Sequence, residues 1–140
     1  PHTLAVAAEW YVVGPANSLA VAPDGRTVAV SFGSWLGDDG WVELWSVAGA
    51  RKVETVRAAA PVGGARFAPD GRTLVVGCWS GRVEWRTLPG GALLAERQLT
   101  KDLVANTAFS PDAAALPLEP PPLEVPLIPE LIPILVSPKR

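Results

Sequence analysis

The sequence has few of the residues on which most enzyme chemistry depends. It contains one cysteine, one histidine and no methionine. Cys78 has no second cysteine to pair with, which excludes an internal disulfide and a multi-cysteine metal site. Because Cys78 lies within an apolar run, we expect a small buried hydrophobic residue and not a reactive thiol. A Ser-His-Asp arrangement would have to use His2, at the start of the chain, which argues against such a site.

An excess of charge of either sign is also missing. The formal net charge is −2 and the pI is about 5.4. Nucleic acid or an anionic membrane surface would call for a basic patch, so we expect neither as a partner. No charged start is followed by a continuous apolar stretch, so neither a secretory signal nor a transmembrane helix is visible. A cytoplasmic location is the default expectation.

The remaining candidates for a chemical site are more simply explained by turns. Asp38 and Asp39, with Glu43 beyond them, match no calcium motif, and Asp39-Gly40 is typical of a hairpin turn. Gly63-Gly64 lacks the residues that complete a phosphate-binding loop. We therefore predict no catalytic residue, no metal site and no cofactor.

The chain does contain a repeated hexapeptide. Ala-Pro-Asp-Gly-Arg-Thr occupies residues 22–27 and returns at 68–73, 46 residues later, and a shorter copy, Ser-Pro-Asp, follows at 110–112. Self-similarity at this period predicts a repeat architecture. Pro presets φ, Asp can bond its own backbone, and Gly accepts a positive φ, so each copy predicts a chain reversal.

Short apolar runs rich in Val flank each turn and indicate strands. The predicted first to fourth strands are 17–21, 27–32, 39–45 and 52–57 in one unit, and 63–67, 73–78, 80–86 and 93–99 in the next. The third strands are only 41 residues apart, which places a five-residue insertion near residues 33–38, in a loop at one rim. Each unit is thus expected to be an antiparallel sheet of four strands.

These motifs resemble the WD-repeat β-propeller family. The resemblance is carried by residues 22–27, 39–45, 68–73, 80–85 and 109–112. Trp45-Ser46 and Arg86-Thr87 stand where the family has its Trp-Asp pair, so the repeats are divergent. The resemblance implies an all-β fold: an incomplete β-propeller with about two full blades, and partial blades at each end.

The expected organisation has five parts. Residues 1–13 end a preceding blade, 14–60 form a blade with the rim-loop insertion, 61–102 form a blade, 103–118 start a third, and 119–140 are a Pro-rich apolar tail. Rings need four to eight blades, so we expect a fragment of a longer propeller, or a chain whose sheets are completed by another chain.

Eight of the chain's 15 prolines lie between Pro117 and Pro138, interleaved with Leu, Ile and Val. This density disfavours helix and central strand and favours extended polyproline-like chain. The tail is either a docking segment for a protein groove or a disordered end.

The resemblance implies a protein-protein interaction scaffold without catalytic activity of its own. The alternative is an accessory or sensor propeller of a larger enzyme, such as a kinase or protease, with its catalytic residues outside this chain. Possible partner-contact residues are Trp35, in the insertion, and Trp79, before the Ser80-Gly81 turn. The expected partners are proteins or peptides, with self-association through open blade edges as a further possibility.

Overall fold

The computed structural model describes residues 5–6, 9–34 and 36–102, together with the backbone of 106–107 and 135–136. The regular secondary structure of these residues consists of strands joined by turns. The strands are β1 (Ala16–Val21), β2 (Thr27–Gly33), β3 (Gly40–Ser46), β4 (Arg51–Ala58), β5 (Val62–Phe67), β6 (Thr73–Cys78), β7 (Arg82–Thr87), β8 (Leu93–Gln98), β9 (Asn106–Thr107) and β10 (Leu135–Val136).

The first eight strands form two sheets of the same design. One has the order β1-β2-β3-β4 and the other β5-β6-β7-β8, and every neighbouring pair is antiparallel. The prediction of two four-stranded antiparallel sheets is confirmed. The boundaries 14–60 and 61–102 of the repeating units stay predictions.

The duplicated hexapeptides have matching geometry. Gly25 and Gly71 have φ values of 72° and 70°, the left-handed region that glycine tolerates best. In each copy the Asp side chain accepts a hydrogen bond from the backbone N–H two residues on: Arg26 N to Asp24 Oδ1 is 2.9 Å, and Arg72 N to Asp70 Oδ1 is 2.8 Å. The repeat in sequence is therefore a repeat in structure.

The core lies between the two sheets. Side chains alternate across a strand, and directly paired residues share a face, so the pairing assigns each residue to one side. Both sheets contribute apolar side chains to this core. The buried members are Ala29, Val42, Leu44 and Val56 from the first sheet, and Phe67, Leu74, Val76 and Cys78 from the second. The two sheets thus share one hydrophobic core.

The chain between the sheets crosses the first sheet at two glycines. A Cβ at Gly33 would lie 2.6 Å from Pro61 Cα, and one at Gly40 would lie 2.7 Å from the same atom and collide with the Ala60 carbonyl oxygen. Gly81 occupies the position in the second sheet that Gly40 has in the first, and its Cβ would collide with the carbonyl oxygen of Thr100. In both sheets, therefore, the outgoing chain passes over a glycine at the start of the third strand: Gly40 is the first residue of β3, and Gly81 directly precedes β7.

Asn17 links the first sheet to the start of the second by hydrogen bonds. Its side-chain amide donates to the Gly33 carbonyl at 3.1 Å and to the Val62 carbonyl at 2.8 Å. One side chain of β1 thus joins the end of β2 to the start of β5.

The ends of the chain are described only in part. In the described residues of 1–13 there is no strand. β9 lies at the predicted start of the third unit and contacts β5, and it pairs antiparallel with β10. All other residues of the predicted tail, and the third-unit turn at 110–112, lie outside the described residues. Among the described residues there is no candidate for a membrane-spanning helix.

Candidate protein-interaction surface

The duplicated turns border a groove at one rim of the two sheets. It has a volume of about 490 Å³. Its apolar lining includes Leu44, Val53, Phe67 and Leu88. The groove lies where the two sheets meet, so its shape depends on their packing. We call it the rim groove.

Charged side chains surround this apolar lining. Asp24, Glu54, Asp70 and Arg72 all line the rim groove, which gives it three carboxylates and one guanidinium. Asp24 and Asp70 use one oxygen each to hold their turns. Glu54 accepts a hydrogen bond from Gly90 N at 2.7 Å, which ties β4 to the β7–β8 turn. The surplus of carboxylates favours a positively charged side chain as an occupant.

The second sheet buries a carboxylate against the chain that leaves the first sheet. Glu84 is fully buried and lies between two arginines on the same face of β7. Arg82 Nε donates to Glu84 Oε2 at 2.9 Å, and Arg86 Nε and Nη2 donate to Oε1 at 3.0 and 2.8 Å. The backbone N–H of Ala59, from the first sheet's outgoing chain, donates to Oε2 at 3.3 Å. Arg82 also pairs with Glu96 at the surface.

The first sheet has a carboxylate at the matching position of β3, with different neighbours. Glu43 accepts hydrogen bonds from Trp41 Nε1 at 3.4 Å and Trp45 Nε1 at 3.0 Å, and Lys52 lies 3.4 Å away. Indole N–H groups therefore take the place that guanidinium groups have in the second sheet. The third strands are predicted from the sequence, where Glu43 is considered only as a calcium ligand and Glu84 is not singled out. The signal is the alternation Arg82, Glu84, Arg86, which puts two cations and one anion on one face.

Cys78 lies on the same face of the second sheet as this cluster. Burial, reinforced by the negative charge of Glu84, raises the pKa of its thiol to about 12. The thiol is therefore protonated at neutral pH, and since the thiolate is the nucleophilic form, Cys78 is unreactive there. The prediction of a small buried hydrophobic residue is confirmed. Among the described residues no group of three His, Cys, Asp or Glu side chains could hold a metal ion.

The two predicted contact tryptophans differ in what the structure describes. Trp79 is buried, with 7% of its surface exposed, and its backbone N–H donates to the Pro61 carbonyl at 2.9 Å. Trp35 lies outside the described residues, between Ser34 and Leu36, in the β2–β3 loop. Leu36 in that loop is 99% exposed. A partner-contact role for this pair stays a prediction.

The outward face of the first sheet carries exposed apolar side chains on β1. Leu19 is 69% exposed and Val21 is 63% exposed. Next to them, Trp10 stacks on Trp45 with ring centroids 5.7 Å apart. Between residues 9–12 and β1 lies a second groove of about 610 Å³, lined by Trp10, Val12, Leu19 and Val30 among others. Leu19 and Val21 lie in the predicted first strand, but the sequence pattern does not indicate that they are exposed.

The comparisons with known proteins agree with this architecture. No family model matches the chain, and no curated protein matches it. Among solved structures 429 chains match. One is the beta-propeller domain of Cps50 (Swd1) from Myceliophteria thermophila, at 18% identity and a TM-score of 0.59. The match covers 72% of this chain, which spans 30% of the length of the solved one.

Proposed function

We propose that this segment, which has the fold of a WD-type β-propeller, serves as a protein-protein interaction scaffold without catalytic activity of its own. The solved neighbour establishes the fold, and an interaction role fits that fold in general. The geometry of the two sheets supports the choice of binding surface and of the kind of partner.

The observation that carries the proposal is the single core shared by both sheets. Val42 and Leu44 from one sheet pack in the same cluster as Leu74 and Val76 from the other. A side chain and a backbone group add polar links across the junction, through Asn17 and through the bond from Ala59 N to Glu84. Because the two sheets pack as one unit, their surface is ordered before a partner binds, and this lowers the entropic cost of binding.

Two parts of the surface are proposed to bind. The rim groove combines the apolar side chains of Phe67 and Leu88 with the carboxylates of Asp24 and Asp70, which suits a peptide carrying a basic and an apolar residue. At the opposite rim, the loop that contains Trp35 is proposed as an aromatic anchor. Trp79, which is mostly buried, is proposed to support that anchor.

Site-specific photocrosslinking in cells that express the protein tests the proposal. A photoreactive amino acid replaces Val53, which lines the rim groove and is 49% exposed, Leu36 in the opposite loop, or Glu96 on β8 as the control position. We expect a discrete adduct with another protein from position 53 or 36 and none from position 96. The adduct from position 53 should disappear when Asp24 is changed to Lys, because that change replaces a carboxylate of the rim groove by a positive charge.

Two outcomes would contradict the proposal. Equal labelling from all three positions, or none from either rim, would mean that the rims are not binding surfaces. Crosslinks that join these rims only to a kinase or protease domain of the same polypeptide would favour an accessory role in a larger enzyme. A cytoplasmic location is part of the proposal, and cell fractionation with an antibody to the protein tests it.

A further inference from the structure

The shorter third copy of the repeated turn allows a third unit to be aligned with the first two. Its residues 110–112 follow residues 68–70 by 42 positions. On this alignment Thr107 corresponds to Ala65 of β5 and to Leu19 of β1, at the same distance before each turn. β9 also contacts β5, as β5 contacts β1. β9 therefore stands where the first strand of a third sheet is expected.

The pairing of β9 with β10 has the register that the first two sheets have between their first and second strands. All three pairs of strands are antiparallel, and corresponding residues of the first strands have corresponding partners. The residue pairs are Leu19–Val30, Ala65–Val76 and Thr107–Leu135, and one position earlier in each first strand Ser18–Ser31, Gly64–Gly77 and Asn106–Val136. β10 thus occupies the place of a second strand.

The connection between these paired strands is much longer in the third unit. Val30 follows Leu19 by 11 residues, and the second sheet has the same spacing, because a hairpin around the duplicated turn joins the two strands. Leu135 follows Thr107 by 28 residues. The strand opposite β9 is therefore not the segment that directly follows the third turn. It comes from the Pro-rich tail.

The positions of the prolines explain why the nearer segment is not used. By the 42-residue offset, residues 115–120 align with β6. They include Pro117 and Pro120, which align with Val75 and Cys78. A proline has no N–H to donate to a neighbouring strand, so a second strand, which has a neighbour on each side, disfavours it.

The segment around β10 has the strand-forming sequence that residues 115–120 lack. Residues 134–137 read Ile-Leu-Val-Ser and are the longest run without proline between Pro117 and Pro138. Two of these four residues are β-branched, which favours a strand. β10 lies at the centre of this run.

We propose that the Pro-rich tail donates the second strand of the third sheet. Leu135 and Val136 take the places that Val30 and Ser31 have in the first sheet. This is strand addition within one chain, in which backbone hydrogen bonds hold an extended segment against a sheet strand. The tail is then part of the repeat array and not a docking segment for the groove of another protein. The proposal is independent of the interaction role proposed above.

Paired cysteines in the full 140-residue chain test which segment lies opposite β9. One variant combines Thr107→Cys with Leu135→Cys. The matched control combines Thr107→Cys with Leu118→Cys, because residue 118 is the partner that the 11-residue hairpin spacing predicts. Directly opposite residues of antiparallel strands have Cβ atoms about 4.5–5.5 Å apart, close to the separation that a disulfide needs. The native Cys78 is buried and does not compete.

The readout is the effective concentration of each cysteine pair, measured by equilibration in a glutathione redox buffer. We expect the pair at 107 and 135 to form an intramolecular disulfide with an effective concentration at least about tenfold above that of the control pair.

Proline substitution tests the same pairing through its hydrogen bonds. The double variant Leu135→Pro/Val136→Pro removes both backbone N–H groups of β10, and Leu131→Pro/Ile132→Pro is the matched control elsewhere in the tail. Hydrogen exchange by mass spectrometry should show the amides of β9 exchanging at least about fivefold faster in the first variant and unchanged in the control. Exchange in β6 reports in both variants whether the second sheet is retained.

Three results would overturn the proposal. Equal effective concentrations for the two cysteine pairs, or a higher one for the pair at 107 and 118, would mean that the tail does not supply this strand. A disulfide between residues 107 and 135 of different chains would mean that the strand comes from another copy. Equal exchange at β9 in the two proline variants would mean that β10 does not hold β9.

Discussion

Replacing Glu84 by Ala should be among the most destabilising single changes in the second sheet. The side chain is fully buried and receives three hydrogen bonds from Arg82 and Arg86 and one from Ala59 N. Truncation leaves the Arg86 guanidinium without its carboxylate partner and leaves Arg82 paired only with the surface residue Glu96. It also leaves the backbone N–H of Ala59 without this acceptor.

The magnitude follows from burial. Removing one partner of a buried ion pair costs about 3–5 kcal/mol, because the remaining charge is left uncompensated. A domain of this size is typically stable by about 5–15 kcal/mol, so the loss is a large fraction of the total. Arg82 and Arg86 keep 26% and 16% of their side-chain surface exposed, and water can reach them in part, which favours the lower end of that range.

Two other carboxylates serve as matched controls. Glu96 pairs with Arg82 in the same network, but its side chain is 47% exposed. Glu96→Ala should therefore cost no more than about 1 kcal/mol. Glu43→Ala removes acceptors from the Trp41 and Trp45 indoles, which are partly exposed, and should cost about 1–2 kcal/mol.

Urea unfolding followed by tryptophan fluorescence and circular dichroism measures these differences as shifts in midpoint at constant slope. The expected order of destabilisation is Glu84 above Glu43 above Glu96. A further variant replaces Arg82, Glu84 and Arg86 together by Met, Leu and Met, and it should recover most of the loss, because no buried charge is left unpaired. If Glu84→Ala were no worse than Glu96→Ala, the assignment of Glu84 as a buried electrostatic link would be wrong.

Three further predictions concern the junction of the sheets. Gly40→Ala should destabilise by about 3 kcal/mol or more, since its Cβ meets backbone of the crossing chain, while Gly37→Ala, whose Cβ has its nearest neighbour at 4.0 Å, should be neutral in the same urea assay. Asn17→Ala should cost about 1–3 kcal/mol through its two hydrogen bonds, and an unchanged midpoint would contradict the tether. Because the pKa of the Cys78 thiol is raised from 9.0 to about 12 in the folded chain, the thiol deprotonates at lower pH in the unfolded chain. Below pH 9 the thiol is protonated in both states, and above pH 9 the free energy of unfolding should fall by up to about 1.4 kcal/mol per pH unit. Cys78→Ala should lack this additional slope.

The fold could be predicted because local and repeated signals coincide. Pro-Asp-Gly fixes the reversal at residues 23–25 and again at 69–71, and Val-rich runs flank both, so strand positions and pairing follow from short-range chemistry. The 41-residue offset of Gly40 and Gly81 also located the third strands. The structure adds that both glycines accept the outgoing chain, which depends on a contact between residues about 20 apart.

The candidate surface could be predicted only in part because exposure depends on neighbours. Val21 and Phe67 occupy equivalent positions, two residues before a proline, yet one is open and the other buried. Propensity cannot separate them, since the difference lies in which sheet packs on each strand. Trp79 illustrates the same limit, because its place before a turn suggested a rim residue and the structure buries it.

The glycines that begin or precede the third strands, Gly40 and Gly81, have a consequence for assembly. At Gly40 the chain passes so close to the strand that no side chain fits, and Gly81 repeats the arrangement in the next unit. The depth of that passage fixes where each new sheet begins relative to the last. The spacing between one sheet and the next therefore depends on the absence of a side chain at a single residue of each sheet.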